Sequence, residues 1–257
     1  MSTVKKNISE VDGATIRFAG DSGDGMQLTG SQFSDNTAIF GNDLATLPDF
    51  PAEIRAPKGS LAGVSSFQLL FSNKDIHTPG DDLDVLVAMN PAGLKVHLGD
   101  LKDNGMLIIN TANFTSKNIK LASYDDNPLD GNLLDGYQVI KVDMTKLVAT
   151  ALEDLGLSSK LKARSTNMFA LGLLYWLYER DVKTTIDFLT KKFIKKPIIA
   201  DSNIKSLKTG YYYGETIEAI KTTYKVDRAK FKKGTYRNIM GNHALSMGLV
   251  WHQKRQI

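Results

Sequence analysis

The sequence predicts a three-layer α/β/α domain around a largely parallel, doubly wound sheet, followed by C-terminal helices. Three observations predict it. Short apolar stretches with strand character alternate with helical ones as far as about Thr145. The first of these stretches runs straight into a glycine-rich turn that opens a helix. Beyond Thr145 the apolar spacing becomes helical. Alternation of this kind implies crossover connections and a parallel sheet whose strand ends meet at a working edge.

Residues 1–13 are polar and read as an extended or frayed arm. From Ala14, Ile16 and Phe18 alternate with Thr15 and Arg17, at the period of a strand with one buried face. Gly20, Gly23 and Gly25 then allow a sharp turn and close approach of backbone to backbone or ligand. Asp24 is placed to N-cap the next helix, with Gln27 three residues on as a capping box requires. That helix is expected through Leu28, Gln32 and Phe33 towards Ile39.

The turn imitates several motifs without completing any. Its glycines fall as G-x-x-G-x-G, not the dinucleotide order, and Met26-Gln27 stands where a P-loop needs Lys-Ser/Thr. Asp21 and Asp24 put negative charge where a phosphate would sit. Gly23-Asp24-Gly25 imitates the metal-binding run of thiamine diphosphate enzymes, but the Asn that completes it is absent between Pro51 and Lys58. Gly20-Asp21-Ser22-Gly23 imitates the nucleophile region of trypsin-like proteases, a double-barrel fold that alternating strands and helices exclude. A hydrolase using Ser22 would also lack a nearby base, since His77, His97, His243 and His252 are scattered. The turn is thus either a structural turn or subunit contact, or a ligand-touching loop.

Three prolines confine Asn42 to Pro57 to an edge strand or an ordered loop. Arg55, between Pro51 and Pro57, is either held ready for a carboxylate or phosphate or paired locally with Glu53. Lys58 to Phe71 reads as another glycine-spaced turn running into a strand, and Thr78-Pro79-Gly80-Asp81 fits a type II turn. Leu83 to Met89 is an apolar run of a strand covered on both faces, ending in Asn90-Pro91. A helix from Ala92 to Lys102 and strands at Gly105 to Asn110 and Gly136 to Val142 come next. Gly20, Asn90 and Asn110 would share the carboxyl rim.

In the last third, Leu147 to Leu155 form one helix face ended by Gly156, and Asn167 to Tyr178 a strongly apolar second helix. A third helix runs from Thr184 to Phe193, stopped by Pro197. Asp201 caps a long fourth, with Gly210 and Gly214 as weak points and Tyr211 to Tyr213 as an aromatic belt. Tyr224 to Arg237 reads as a basic linker, after which a new small-residue helix begins.

The 257 residues suffice for a core without staples. Zero cysteines exclude disulfides and any cysteine-held iron–sulfur cluster in these residues, and fit a reducing cytoplasm. No apolar run has the length of a membrane span. A net charge of +4 gives no case for nucleic acid.

Taken together, Gly20 to Gln27, Glu53-Ile54-Arg55-Ala56-Pro57, Gly63 to Gln68, Thr78 to Asp81 and Asp84 to Pro91 resemble the 2-oxoacid:ferredoxin oxidoreductases. The likeness runs from about Thr15 to Val250 and is to the N-terminal, gamma-type domain of the alpha subunit, of the 2-oxoglutarate kind. It implies a Rossmann-like gamma domain at 14–223, then a linker and the start of a pyrimidine-binding thiamine domain at 224–257 that the sequence leaves incomplete. It also implies an assembly that turns a 2-oxoacid and coenzyme A into acyl-CoA and CO2. In that assembly thiamine diphosphate, Mg2+ and an iron–sulfur cluster lie in partner domains and a beta subunit, and ferredoxin takes the electrons. On this resemblance the chain carries no catalytic residue, metal or cofactor of its own. Its candidate coenzyme A-binding or subunit-contact residues are Gly20, Asp21, Ser22, Gly23, Asp24, Gly25, Arg55, Lys58 and Asn90. The competing expectation is a free-standing coenzyme A or nucleotide module on the same rim, with Arg55 or Lys58 on phosphate. No nucleic acid or membrane is expected as partner, and a cytoplasmic location is.

Overall fold

A computed structural model describes residues 7–53, 56–237 and 239–254. Six strands form the central sheet in the order β3 (Asp43–Asp49), β4 (Val64–Ser72), β2 (Gly13–Asp21), β5 (Leu83–Ala88), β6 (Leu101–Asn110) and β7 (Gln138–Val142). β2, β5, β6 and β7 pair in parallel, and β4 runs antiparallel to both β2 and β3. β3 is an edge strand, the place where Pro48 removes no ladder bond that a neighbour needs.

Both faces of the sheet are covered. Ile16, Phe18, Leu69, Phe71, Val85 and Val87 point to one side, against Phe33 of α1 (Met26–Phe40) and the apolar helix α6 (Thr166–Leu177). Ala19, Leu86, Ala88, Leu107 and Ile109 point to the other, against Leu94 of α2 (Pro91–His97). The expectation that Thr15 and Arg17 face solvent therefore fails: both are buried. Arg17 is accommodated because its guanidinium is bonded on every side, to Gln68 opposite it on β4, to Asp100 and to His97 Nδ1 at 2.8 Å. Gln68 in turn donates to Pro79 O and Gly80 O, and Gly80 takes the positive φ of 81° that its turn demands.

Several boundaries differ from those read in the sequence. α2 stops at His97, a single 3-10 turn follows, and Leu101 already belongs to β6. The short helix α3 (Ser116–Leu121) follows β6, and α4 (Met144–Ala151) and α5 (Ser159–Ala163) follow β7. After α6 come α7 (Lys183–Lys192) and α8 (Pro197–Thr216). Pro197 opens α8 rather than merely stopping α7, since the first helical position needs no N–H donor. Asp201 consequently lies inside α8 and caps nothing. The N-terminal arm is not frayed where it is described: β1 (Asn7–Glu10) pairs in parallel with β8 (Thr222–Lys225). The expected linker starts docked as well, with Val226 buried, Asn42 Nδ2 donating to Asp227 O at 2.6 Å and Ala229 N to Gly41 O at 2.9 Å. α9 (Gly241–Lys254) closes the described chain, its Leu245, Met247 and Leu249 more than half exposed.

Gly210 and Gly214 are not weak points. A Cβ on Gly210 would overlap the Phe169 carbonyl oxygen of α6, and one on Gly172 would overlap the Leu207 carbonyl oxygen of α8. The two helices thus cross backbone on backbone, and Gly214 receives the face of the Trp176 ring. The missing side chains that lower helix propensity are what permits the contact.

Candidate functional site

The carboxyl ends of β2, β5 and β6 meet at one rim, as parallel winding requires. The glycine turn sits there. Gly23 and Gly25 take φ of 92° and 85°, conformations that strain any other L residue. Gly25, not Asp24, is the N-cap of α1, and no side chain caps that helix. Asp24 folds back instead: its Oδ2 accepts from Asp21 N at 3.2 Å and its Oδ1 from Lys58 Nζ at 2.9 Å. Gln27 completes no capping box either, because its Nε2 donates to Asp49 O and Ser66 O, both at 2.9 Å, tying the turn to β3 and β4.

The remaining sequence-derived candidates divide between rim and scaffold. Gly20 lies under Met89, where a Cβ would approach to 3.1 Å. Asp21 is buried, accepts from Gly59 N at 3.0 Å and so anchors the 57–60 turn. Burial pushes the Asp21 carboxyl up from the usual carboxylate range, against the pull of Gly59 and Lys58. Partial burial would lower the Lys58 ammonium, but the bond to Asp24 and the charges of Asp24 and Asp21 raise it. Ser22 and Gly23 are exposed at the rim. Asn90 is structural, the N-cap of α2, accepting from Gly93 N at 2.7 Å. Asn110 is structural too, accepting from Met144 N at 3.2 Å. Arg55 lies outside the described residues.

Between the turn and the helical layer is a cavity of about 320 Å3 lined by Ser22, Gly23, Asp24 and Lys58 from one side and by Lys160, Arg164, Thr166 and Asn167 from the other. Met89, Asn110, Asn113, Thr145 and Ala163 complete its wall. Lys160 and Arg164 come from α5 and the residue after it, and among the described residues neither has a carboxylate partner. Asn167 Nδ2 reaches the turn itself, donating to Gly25 O at 3.4 Å and Thr29 Oγ1 at 3.2 Å. Asn167 Oδ1 and Thr166 Oγ1 are buried with no hydrogen-bond partner among the described residues. The sequence reading missed this half of the site, taking Asn167 for the start of a strongly apolar helix. The available signal was the run of Lys160, Lys162 and Arg164 directly before a helix whose first residues, Thr166 and Asn167, are polar. A larger cavity, about 600 Å3 between α1, β3 and residues 239–242, has no cation in its lining and one carboxylate, Asp35.

The site does not fit a magnesium–thiamine centre, because the one acid in its lining, Asp24, is engaged by Lys58 and the Asp21 amide. It does not fit a serine hydrolase either, since no histidine lines the cavity that Ser22 borders, and His97 is held by Arg17. What converges is a polar, net-cationic recess at the edge of a sheet.

Comparison with known proteins places this geometry. Residues 15–213 match the family model of pyruvate ferredoxin/flavodoxin oxidoreductase. The chain is 52% identical over 240 residues to the 2-oxoglutarate oxidoreductase subunit KorA of Mycobacterium tuberculosis, a match covering 93% of this chain and 37% of that protein. The chain thus spans little more than a third of the curated relative's length. Among solved structures it is similar in fold to 2-oxoglutarate:ferredoxin oxidoreductase from Magnetococcus marinus (TM-score 0.65, 21% identity, 86% of this chain and 34% of that one). It is also similar to a keto/oxoacid ferredoxin oxidoreductase gamma subunit from Geobacter sulfurreducens (TM-score 0.53, 18% identity, 79% of this chain and 99% of that one).

Proposed function

This chain belongs to the pyruvate ferredoxin/flavodoxin oxidoreductase family, and we propose that it is the gamma-type domain of an alpha subunit in a 2-oxoacid:ferredoxin oxidoreductase acting on 2-oxoglutarate. The observation that carries this reading is the identity of 52% over 240 residues to a 2-oxoglutarate oxidoreductase subunit. The reaction joins a 2-oxoacid and coenzyme A into acyl-CoA with loss of CO2, and the two electrons released pass to ferredoxin. Thiamine diphosphate, Mg2+ and an iron–sulfur cluster supply that chemistry from partner domains and a beta subunit.

This domain's part is binding and enclosure. The rim from Gly20 to Gly25, with Lys58, faces the coenzyme A side or a neighbouring subunit while Asn90 caps α2 behind it, and Arg55 lies near Lys58 in the sequence. Its glycines let a ligand or partner backbone approach closely, and Lys58, held by Asp24, keeps a cation at the mouth. The net-cationic recess favours this coenzyme-facing reading over a purely structural turn. The location that fits such an assembly is the cytoplasm. Among the described residues no helix is long and apolar enough to cross a membrane.

The test is reconstitution. The purified chain alone should give no 2-oxoglutarate-dependent reduction of ferredoxin, and the complete assembly should give it in a coenzyme A-dependent way. Turnover by the chain alone would sink the enclosing role, and an assembly that oxidises pyruvate but not 2-oxoglutarate would sink the substrate.

A further inference from the structure

We propose that the turn joining α7 to α8 is a contact for an anionic bilayer surface. The proposal is independent of the coenzyme A reading and shares no residue with the rim.

The segment reads Lys191-Lys192-Phe193-Ile194-Lys195-Lys196-Pro197-Ile198, and no acid stands between Asp187 and Asp201. All four lysines are exposed, and among the described residues none has a carboxylate partner. Backbone bonds hold the turn in shape: Ile194 N donates to Lys191 O at 3.4 Å and Lys196 N to Phe193 O at 2.7 Å. Phe193 packs against the main core and anchors the turn from within. Ile194 is thereby left outside, 74% exposed, and Ile198, four residues on, is 41% exposed. An apolar tip is thus flanked on both sides by paired lysines.

Folding explains only part of this pattern. Lys191 and Lys192 lie in the last turn of α7, where positive charge complements the helix end. Lys195 and Lys196 stand at the opposite kind of end. Lys196 is the N-cap of α8, its side chain makes no capping bond, and the first turn of α8 holds no acid. Two cations there oppose the helix dipole, and a small polar cap would serve the fold better. Ile194 adds nothing to the core either. Side chains that break local rules on an exposed turn point to a surface outside the molecule.

The residue types decide which surface. Every cation of the turn is Lys and none is Arg. Protein interfaces are poor in Lys and centre on Trp, Tyr and Arg. A lysine ammonium is a hydrated point charge, suited to a diffuse negative plane rather than to the planar pairing that Arg makes with carboxylates. Lysine clusters of this kind are drawn to acidic lipid headgroups. Ile194 and Ile198 would enter the headgroup boundary, with the lysine stems lying along it and their charges kept at the phosphates. The contact is peripheral and salt-sensitive, so it needs no spanning helix.

The test is co-sedimentation of the full chain, and of the assembled complex, with vesicles of phosphatidylcholine alone or mixed with phosphatidylglycerol. Protein should pellet with the mixed vesicles at low salt, stay in solution with the neutral ones, and be released as salt rises. Each lysine is worth about fivefold in partitioning, so Lys195→Ala combined with Lys196→Ala should weaken binding about 25-fold. Ile194→Ser should weaken it about tenfold at every salt concentration. A circular dichroism melt should find the double variant at least as stable as the unaltered chain, because it relieves the start of α8. No binding to the mixed vesicles, equal binding to both kinds, or binding that the double variant keeps in full would each overturn the bilayer contact. Retention on immobilised poly-L-glutamate that the double variant loses, without vesicle binding, overturns it in favour of an acidic protein partner.

Discussion

The two ends of α6 are built on opposite terms. From Met168 onward the helix is buried on every side, and against α8 it has no room for a single methyl group at Gly172 or Gly210. At its first turn, Thr166 and Asn167 are equally buried but carry polar atoms without partners, beside two exposed cations. One end spends its residues on packing density, the other leaves hydrogen-bonding capacity unspent. Local rules are satisfied along the packed length of the helix and left unmet at its first turn.

Changes at the dry end should cost the fold. Gly210→Ala should lower stability by about 3 kcal/mol, because the added carbon meets a backbone carbonyl that cannot rotate away. A urea denaturation midpoint reports it, and an unchanged midpoint would mean that the helices do not cross as closely as described. Gly172→Ala should behave alike.

The Arg17 network under α2 offers a second contrast, this one with pH. Burial and the Arg17 charge hold the His97 imidazole below its ordinary 6.5. The folded chain therefore binds fewer protons than the unfolded one in mild acid. Its contribution to stability is fully present above pH 6.5 and is lost as pH falls below that value. Melting temperature should fall between pH 7.5 and roughly pH 5.5, and His97→Gln should flatten that slope. Parallel curves for the two proteins would remove His97 from the explanation.

At the rim the sign reverses. Asp21 has its carboxyl pushed up by burial, so its favourable contribution exists below the unfolded value near 3.8 and is lost as pH rises through the folded one. Asp21→Asn, which keeps an acceptor for Gly59 N, should therefore raise the melting temperature at pH 7, with the gain shrinking as pH approaches 3.8. A loss at pH 7 would show that the ionised carboxylate is needed to hold the 57–60 turn. The smallest stability effect belongs to Arg164→Ala, at an exposed position, within about 0.5 kcal/mol of the unaltered chain. If it unfolds the protein instead, the contrast between the two ends of α6 is lost.

Much of the scaffold was legible because it is local. Leu83 to Met89 is apolar at every position but Asp84, so a strand covered on both faces was readable directly, and the glycines at 23 and 25 announced a sharp turn, which they make with positive φ. Arg17 was misread because alternation with Ile16 and Phe18 is also what a solvent-facing residue produces, and its three partners lie 51 to 83 residues away. Asp24 was misread as a cap because cap spacing is local while its partner Lys58 comes from another turn. Half of the site was legible, the glycine turn, since its chemistry is concentrated in eight consecutive residues.

The sequence by itself determined the layers, the glycine turn and the absence of cysteine chemistry, because periodicity, backbone permissiveness and composition are properties of neighbouring residues. Only the tertiary structure decided that Gly172 and Gly210 are contacts rather than flaws, and that Asn167 bonds to the glycine turn beside a cationic recess. Those facts depend on which distant segments share a volume, and a volume is not written at any one place along a chain.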